Sequence, residues 1–318
     1  MQSSMSKGLK FFFIAFLASF FGLFALNIFQ ENLENYFYAQ ISQPFEEIVF
    51  VKISPKPQKP ELDLQVKAAI SVKLNEIGAE KILFNENINQ PLPIASLTKL
   101  MTAFVVLENY DLSKEIEITK EAVSQEGDFG KLAIGRIYPA GYLLYPLLME
   151  SSNDAAFALA NDYEEEGMNG DKFVELMNLA SQKMKLENTR FFNSTGLEPE
   201  EDKFTTQFNY STANDLVKLT KELFKKPLIW EILSTPIYNF YGPELKNTNE
   251  FLFDESPDQR TKIIGGKTGY TEKAGGCLLL VLEDKKGSKF INVILGAQSV
   301  EARITEMQKL INWLTISQ

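Results

Sequence analysis

An uncharged apolar run near the amino terminus restricts what this chain can be. Residues 11–29, FFFIAFLASFFGLFALNIF, contain no charged side chain, and the run has the length of about 20 residues that a helix needs to cross a bilayer core. Lysines precede the run, at positions 7 and 10, and glutamates follow it, at positions 31 and 34. This charge order predicts a cytoplasmic segment at residues 1–10, with the rest of the chain outside the cytoplasm.

Two interpretations of the run remain open. A cleaved signal peptide usually has an apolar part of about 7–15 residues that ends at a small-x-small site. The run at 11–29 is longer, and no such site closes it. We therefore expect an uncleaved transmembrane signal-anchor in the bacterial cytoplasmic membrane, with a secreted protein as the alternative. Both interpretations export the remainder of the chain.

The segment after the apolar run is predicted to be a linker. Residues 30–60 end in SPKPQKP, and the three prolines favour extended polyproline geometry over a helix. Residues 61–318 are then enough for one large domain.

Composition excludes several classes of function. The 318 residues contain no histidine, which rules out Ser-His-Asp, Cys-His and histidine-ligated zinc mechanisms. Cys277 is the single cysteine, so no intramolecular disulfide and no four-cysteine metal site can form. The net charge is −10 and no basic stripe is visible, which argues against a nucleic-acid partner. We expect neither a metal nor a cofactor.

Hydrophobic periodicity predicts a sheet made from both ends of the domain. Alternating or apolar segments predict strands at residues 68–74, 81–84, 276–283 and 289–296. Three-and-four spacing of apolar residues predicts helices at 96–108, 142–149, 154–163, 171–185 and 212–224, and a closing helix through residues 304–314. The middle of the domain is therefore mostly helical, and the fold class is α/β in the α+β sense.

Three short strings carry the chemistry. They are SLTK at residues 96–99, SSN at 151–153 and KTG at 267–269. Each string alone is weak evidence, but the three in this order resemble the set known from penicillin-binding proteins and serine β-lactamases.

The first string predicts a nucleophile and its base. Ser96 and Lys99 are three residues apart on a predicted helix, so their side chains share one face. Because Ser96 opens the helix, it lies near unpaired backbone N–H groups and the positive end of the helix dipole. Without histidine, a neutral lysine must remove the serine proton. Burial and a second cation, for which Lys267 is the candidate, both lower the pKa of a lysine.

The other strings are predicted to bind substrate and to move the proton. We expect Ser151 to pass the proton to the leaving amine, and Asn153 to hydrogen-bond a substrate peptide group. Lys267 and Thr268 are expected to meet a negatively charged substrate end. Gly269 lets its strand approach the ligand closely. We expect the oxyanion hole to consist of the backbone N–H groups of Ser96 and Tyr270.

At these strings the chain resembles the D-alanyl-D-alanine carboxypeptidase family, the low-molecular-weight penicillin-binding proteins among the serine peptidases. The resemblance covers residues 62–318 and includes NSTGL at 193–197 and NYSTA at 209–213. It implies a β-lactamase/transpeptidase-like fold with an antiparallel sheet and helices on both faces. It also implies removal of the terminal D-Ala from peptidoglycan stem peptides ending in D-Ala-D-Ala, through an acyl-enzyme on Ser96 that β-lactam antibiotics also form.

Other functions remain as alternatives. Many relatives carry a further carboxy-terminal domain, whereas this sequence ends at Gln318; shorter relatives include endopeptidases that cut D-Ala–diaminopimelate cross-links. A β-lactamase is a second alternative, because residues 165–169 faintly resemble the glutamate string that drives deacylation in class A enzymes. A membrane-tethered penicillin sensor that binds peptidoglycan without turnover is a third.

Overall fold

The central sheet of the domain joins strands from its beginning and its end. In the computed structural model, which describes residues 7–41, 61–127, 130–163, 171–199, 207–239, 242–253 and 261–315, the strands are β1 (Ala68–Leu74), β2 (Glu80–Glu86), β3 (Leu92–Pro93), β4 (Glu115–Glu117), β5 (Ile137–Pro139), β6 (Tyr210–Ser211), β7 (Ile237–Tyr238), β8 (Leu245–Lys246), β9 (Thr261–Thr271), β10 (Gly275–Asp284) and β11 (Lys289–Ala297). Within the described residues one sheet has five strands, in the order β2-β1-β11-β10-β9, and all its pairs are antiparallel. The predicted sheet is confirmed.

The helices of the described residues lie mainly between β2 and β9 in the sequence. They are α1 (Lys7–Ile41), α2 (Thr98–Asn109), α3 (Lys120–Val123), α4 (Ala140–Met149), α5 (Asn153–Asp162), α6 (Asp171–Lys183), α7 (Ala213–Leu223), α8 (Pro227–Ser234) and α9 (Val300–Thr315). The predicted helical middle is therefore present. Helix α8 was not predicted, although the proline at its first position suits a helix start.

Both faces of the sheet are covered, as the fold class requires. Alternate residues of β10 point to opposite faces. Leu278 and Leu280 pack with Met307 and other residues of α9 on one face, whereas Leu279 belongs to the larger core that includes α2, α4, α7 and α8. These leucines are fully buried, and burying one such side chain contributes about 1.5–3 kcal/mol. The apolar β10 is thus the rigid centre against which β9 is held.

The described part of the amino-terminal unit is one long helix. The chain divides into two compact units, Met1–Gln58 and Lys59–Gln318, and in the first the structure describes α1. One helical segment, Lys7–Gln40, is long and apolar enough to span a membrane, a property that an amino-terminal signal sequence shares. Residues 30–41 of the predicted linker are helical in α1. The proline-containing part of that linker lies outside the described residues.

Candidate active site

The nucleophile lies on a tight turn before α2. Ser96 belongs to a short 3-10 turn, Ala95–Leu97, and α2 begins at Thr98, so the prediction of an α-helix from residue 96 was wrong by two residues. The reason is local: Ala95 has a φ of 45°, a left-handed conformation outside regular α-helix. The turn leaves Ser96 partly exposed above a helix that is otherwise largely buried.

The Lys99 amine contacts the nucleophile from inside the protein. Lys99 Nζ lies 3.0 Å from Ser96 Oγ, 2.6 Å from Asn153 Oδ1 and 2.6 Å from the carbonyl oxygen of Thr195. Its side chain is 0% exposed. Burial lowers the pKa of Lys99 to about 7, because the charged form loses its hydration. The predicted contribution of a second cation is not needed to reach this value.

The second string sits on a strained turn between α4 and α5. Ser151 has a φ of 64°, which costs a non-glycine residue about 1–3 kcal/mol and is typical of functional sites. Ser152 caps α5 by accepting a hydrogen bond from the backbone N–H of Ala155. Asn153 begins the helix, and its Nδ2 donates to the carbonyl oxygen of Glu126 at 2.6 Å. The cap thereby holds Ser151 and Asn153 on either side of a fixed residue.

The third string lies on β9, at one edge of the sheet. Lys267 is 1% exposed, and its Nζ donates to Ser151 Oγ and to the carbonyl oxygen of Thr268, each at 2.9 Å. Gly269 approaches the nucleophile closely: a Cβ at this position would lie 3.0 Å from the backbone nitrogen of Ser96. A side chain here would therefore push β9 away from the nucleophile turn.

Two buried basic side chains, those of Lys99 and Arg303, lower the pKa of Lys267. Burial lowers the pKa of Lys267 well below its ordinary value, and repulsion from Lys99 and from Arg303 lowers it further. Arg303, on α9, is 6% exposed, and its Nη1 donates to the carbonyl oxygen of Gly269 at 3.1 Å. A like charge nearby disfavours the charged form of a buried group. Repulsion between the two lysines therefore acts on the pKa of Lys267, rather than on that of Lys99 as predicted.

The structure connects five of the predicted site residues directly. Ser96, Lys99 and Asn153 form one hydrogen-bonded group, and Ser151 and Lys267 form another. Thr268 and Gly269 continue β9 beside them, and Tyr270 follows with a side chain that is 45% exposed. Residues 165–169, which carry the faint β-lactamase resemblance, lie outside the described residues.

Sequence reasoning missed four supporting residues. Thr195 and Glu126 contribute backbone carbonyl oxygens to Lys99 and Asn153. Thr248 places its hydroxyl 2.7 Å from that of Thr268, and Arg303 binds the backbone of β9. The NSTG string around Thr195 was the available signal for one of them. The others act through long-range contacts that leave no local pattern in the sequence.

The NSTG string, residues 193–196, packs against the turn that carries Ser96. A Cβ at Gly196 would lie 2.1 Å from the carbonyl oxygen of Ala95, so only glycine fits there. Asn193 Oδ1 accepts hydrogen bonds from the backbone N–H groups of Thr195 and Gly196. Asn209 Nδ2 donates to Thr98 Oγ1 and to the carbonyl oxygen of Asn193. This network fixes the Thr195 carbonyl that contacts the Lys99 amine.

Comparison with known proteins agrees with this geometry. The profile of the peptidase family S11, described as D-alanyl-D-alanine carboxypeptidase, matches residues 54–299. The D-alanyl-D-alanine carboxypeptidase DacF of Bacillus subtilis is 31% identical over 266 residues, which are 80% of this chain and 63% of that protein. The D-alanyl-D-alanine endopeptidase of Pseudomonas aeruginosa is 31% identical over 277 residues, which are 84% of each protein.

A solved structure has the same fold. Penicillin-binding protein D2 of Listeria monocytogenes, in its cefotaxime-bound form, superposes with a TM-score of 0.66 at 28% identity, covering 80% of this chain and 98% of that one. The β-lactamase-like fold expected from the sequence is thereby confirmed.

Proposed function

The chain belongs to the D-alanyl-D-alanine carboxypeptidase family, and from this premise we propose that it removes the terminal D-Ala from peptidoglycan stem peptides ending in D-Ala-D-Ala. One observation carries the proposal. The fully buried Lys99 amine, whose pKa is lowered to about 7, lies 3.0 Å from Ser96 Oγ. A base and a nucleophile in this relation are the requirement for a serine peptidase that has no histidine.

The hydrogen bonds around Lys99 suit a neutral amine. A neutral amine has two N–H donors and one lone pair. Asn153 Oδ1 and the Thr195 carbonyl, both at 2.6 Å, are pure acceptors, so the two donors are used there. The lone pair is then directed to Ser96 Oγ, whose hydroxyl can donate its proton. The two acceptors thus orient the lone pair of Lys99, and burial favours the neutral form of the amine.

Acylation follows from this arrangement. Ser96 Oγ attacks the carbonyl carbon of the penultimate D-Ala as its proton moves to Lys99 Nζ. The backbone N–H groups of Ser96 and Tyr270 stabilise the oxyanion; losing one such donor typically costs about 3 kcal/mol. The proton then reaches the leaving amine through Ser151, which Lys267 holds at 2.9 Å. The C–N bond breaks, D-Ala leaves, and an ester on Ser96 remains.

Hydrolysis of the ester completes the cycle. Lys99, neutral again, accepts a proton from a water molecule that attacks the ester carbonyl. The ester C–O bond breaks as Lys99 returns the proton to Ser96 Oγ, and the shortened peptide leaves as a carboxylic acid that releases the second proton of the water to solvent. A β-lactam forms the same ester by opening its ring. Because its amine remains attached to the acyl group, we expect that ester to be long-lived.

Binding of the substrate's carboxylate is assigned to the third string. Lys267 and the Thr268 hydroxyl face the site from an edge strand, and Thr248 holds that hydroxyl at 2.7 Å. The Thr268 hydroxyl can donate to a carboxylate, and the negative charge of the bound carboxylate favours the protonated form of Lys267. Asn153 is assigned to the amide of the acyl part, because its Nδ2 has two N–H donors and the Glu126 carbonyl accepts from one of them.

An endopeptidase acting on D-Ala–diaminopimelate cross-links is the second candidate. The observation that favours it is that the D-alanyl-D-alanine endopeptidase of Pseudomonas aeruginosa is 31% identical over 84% of each protein, an identity equal to that of the Bacillus subtilis carboxypeptidase. Both reactions use the same acylation chemistry. They differ in whether the leaving amine belongs to a free D-Ala or to the side chain of another stem peptide.

We propose that the peptidase unit lies on the outer side of the cytoplasmic membrane. The helix from Lys7 to Gln40 has the length and apolarity of a membrane span, and its lysine-rich flank precedes the run. We assign it to a single-pass anchor with the peptidase unit outside the cytoplasm. Intact mass of protein recovered from a membrane fraction tests this: a chain that begins after the apolar run would instead establish a cleaved signal.

The detergent-solubilised full chain provides the test of activity. Incubated with a pentapeptide ending in D-Ala-D-Ala, it should release one alanine, and Ser96→Ala should release none. Incubated with a penicillin, it should gain one adduct on Ser96 by intact mass. Rapid loss of the adduct would indicate a β-lactamase, and an adduct without peptide cleavage would indicate a sensor. Monomer release from cross-linked muropeptides would identify the endopeptidase.

A further inference from the structure

A short arm of the chain, residues 246–249, is fixed beside the third string by its own backbone. The N–H groups of all four residues donate hydrogen bonds, at 2.9–3.0 Å. Their acceptors are, in the same order, Glu150 Oε1, the carbonyl oxygens of Pro236 and Met149, and the side-chain oxygen of Asn247. Four consecutive backbone donors with protein acceptors leave this segment little freedom to move.

The arm connects the second string to the third. Two of its acceptors, Met149 and Glu150, are the residues directly before Ser151. At its other end, Thr248 Oγ1 lies 2.7 Å from Oγ1 of the buried Thr268. The terminal D-Ala of the substrate carries its amine and its carboxylate on the same carbon. The arm therefore links the residue assigned to the leaving amine with the residue assigned to the carboxylate.

The pair of hydroxyl groups can be oriented in two ways, and a carboxylate accepts only one of them. A hydroxyl has a single proton, and a carboxylate is an acceptor without donors. To bind the carboxylate, Thr268 must donate its proton outward, and its oxygen is then free to accept a hydrogen bond from Thr248. A hydroxyl that accepts one hydrogen bond also becomes a stronger donor in the next.

We propose that Thr248 is a positioning residue that sets the donor direction of the Thr268 hydroxyl, and that it thereby selects substrates whose leaving group ends in a free carboxylate rather than a carboxamide. This inference rests on the proposed function, which assigns the carboxylate to Thr268. A carboxamide has N–H donors as well as an acceptor, so it pairs with Thr268 in either orientation of the two hydroxyl groups.

The neighbouring charges do not replace this role. Lys246 and Arg303 line a cavity of about 460 Å³ together with Thr248, and both attract a carboxylate whatever the direction of the hydroxyl groups. A substitution at position 248 leaves these two charges in place. The change that it causes in carboxylate preference therefore reports the hydroxyl pair.

Two depsipeptides that differ only at their end test the proposal on the full chain. They are diacetyl-Lys-D-Ala-D-lactate and the corresponding lactamide. Each has an ester bond to the leaving group, so that the neutral member also reacts at a measurable rate. The readout is the acid-to-amide ratio of kcat/KM. We expect Thr248→Val, which exchanges the hydroxyl for a methyl group, to lower this ratio about fivefold, the effect of losing one hydrogen bond.

Two further variants separate the hydroxyl from general packing. Thr248→Ser keeps the hydroxyl and should keep the wild-type ratio. Thr305→Val makes the same exchange on an exposed position of α9 and should also leave the ratio unchanged. In Thr248→Val the loss should fall on the free acid, with the lactamide cleaved nearly as in the wild type. Because each ratio is taken within one variant, a general loss of activity divides out.

The outcomes distinguish this proposal from the proposed function. If neither depsipeptide nor a peptide ending in D-Ala-D-Ala is cleaved, the proposed function is overturned. Cleavage of all of them, with the wild-type ratio retained in Thr248→Val, would keep that function and overturn the role of Thr248. An equal fall of the ratio in Thr248→Ser would also overturn it, because the hydroxyl would then not be the cause.

Discussion

The pH dependence of acylation tests the state of the Lys99 amine. Burial lowers the pKa of Lys99 to about 7, so the neutral fraction of this group rises with pH through that value. Only the neutral form can remove the Ser96 proton. We expect acylation by a penicillin to accelerate with pH and then to level off once Lys99 has lost its proton.

The expected magnitude follows from the pKa alone. A group with a pKa of about 7 is about one-eleventh neutral at pH 6 and about ten-elevenths neutral at pH 8, so the acylation rate constant should rise about tenfold. An ordinary lysine, with a pKa of about 10.4, would give a rise of about 100-fold over the same interval and no plateau. The ratio of two rate constants therefore distinguishes a buried base from an exposed one.

Stopped-flow measurement with a fluorescent penicillin gives these rate constants, because the ligand itself does not titrate in this interval. Lys99→Gln provides the control. It should acylate about 10²–10⁴ times more slowly, and the residual rate should not follow the same titration. A 100-fold rise without a plateau would refute the buried neutral base. An unchanged profile in Lys99→Gln would assign the titration to another group, with Lys267 the first to examine.

Three further predictions concern stability and geometry. The pKa of Lys99 is about 7 in the folded chain, against an ordinary value of 10.5. Between these two values the folded chain binds fewer protons than the unfolded chain. The unfolding free energy of the wild type should therefore rise, relative to that of Lys99→Met, by about 1.4 kcal/mol per pH unit above about pH 7.5. Urea denaturation at several pH values measures this difference, and a flat difference would contradict the lowered pKa. Gly269→Ala places a Cβ 3.0 Å from the nucleophile's backbone nitrogen, so we expect penicillin acylation to slow by about 100-fold through displacement of β9; wild-type acylation rates would mean that β9 can yield without cost. Glu150 accepts hydrogen bonds from the backbone N–H groups of Gly130 and Lys246 at 2.9 and 3.0 Å, and Glu150→Ala should lower the unfolding free energy by about 2–4 kcal/mol, with Glu150→Gln less damaging. Equal losses in the two variants would show that the hydrogen bonds are not the cause.

Sequence reasoning succeeded where the determinant was local. The continuous apolar run of β10 and the three-and-four spacing in α7 and α9 predicted those elements within a few residues, because β10 is buried on both faces and each helix buries one face against the sheet. The pairing of Ser96 with Lys99 also depends on local spacing. Ser96 and Lys99 remain paired although a 3-10 turn replaces the expected start of the helix, because both conformations place residues three apart next to each other.

The parts that could not be predicted depend on chain segments far apart in sequence. The Thr195 carbonyl reaches Lys99 across 96 positions, and Arg303 reaches Gly269 across 34. Backbone groups act in the first case, and these carry no residue-type signal. Of the two causes predicted for the low Lys99 pKa, burial is the one that lowers it, whereas repulsion between the two lysines lowers the pKa of Lys267. How completely the core closes around each amine depends on long-range packing that the sequence does not display.

A lysine base sets a condition on the fold that a histidine base does not. An ordinary histidine has a pKa of about 6.5 and is largely neutral at pH 7 without help. Lowering the pKa of Lys99 from 10.5 to about 7 opposes folding by about 4 kcal/mol at neutral pH. Burial of Lys267 also lowers the pKa of that side chain, and this too opposes folding at neutral pH.

The free-energy cost of the buried lysines is of the order of a whole domain's net stability. The base can therefore be neutral only inside a core whose apolar burial contributes a large stabilisation. The fully buried leucines of β10 supply part of it. The same packing that fixes the distances between the three strings therefore also keeps the amine uncharged, and a cavity made in this core should raise the Lys99 pKa as water reaches the site.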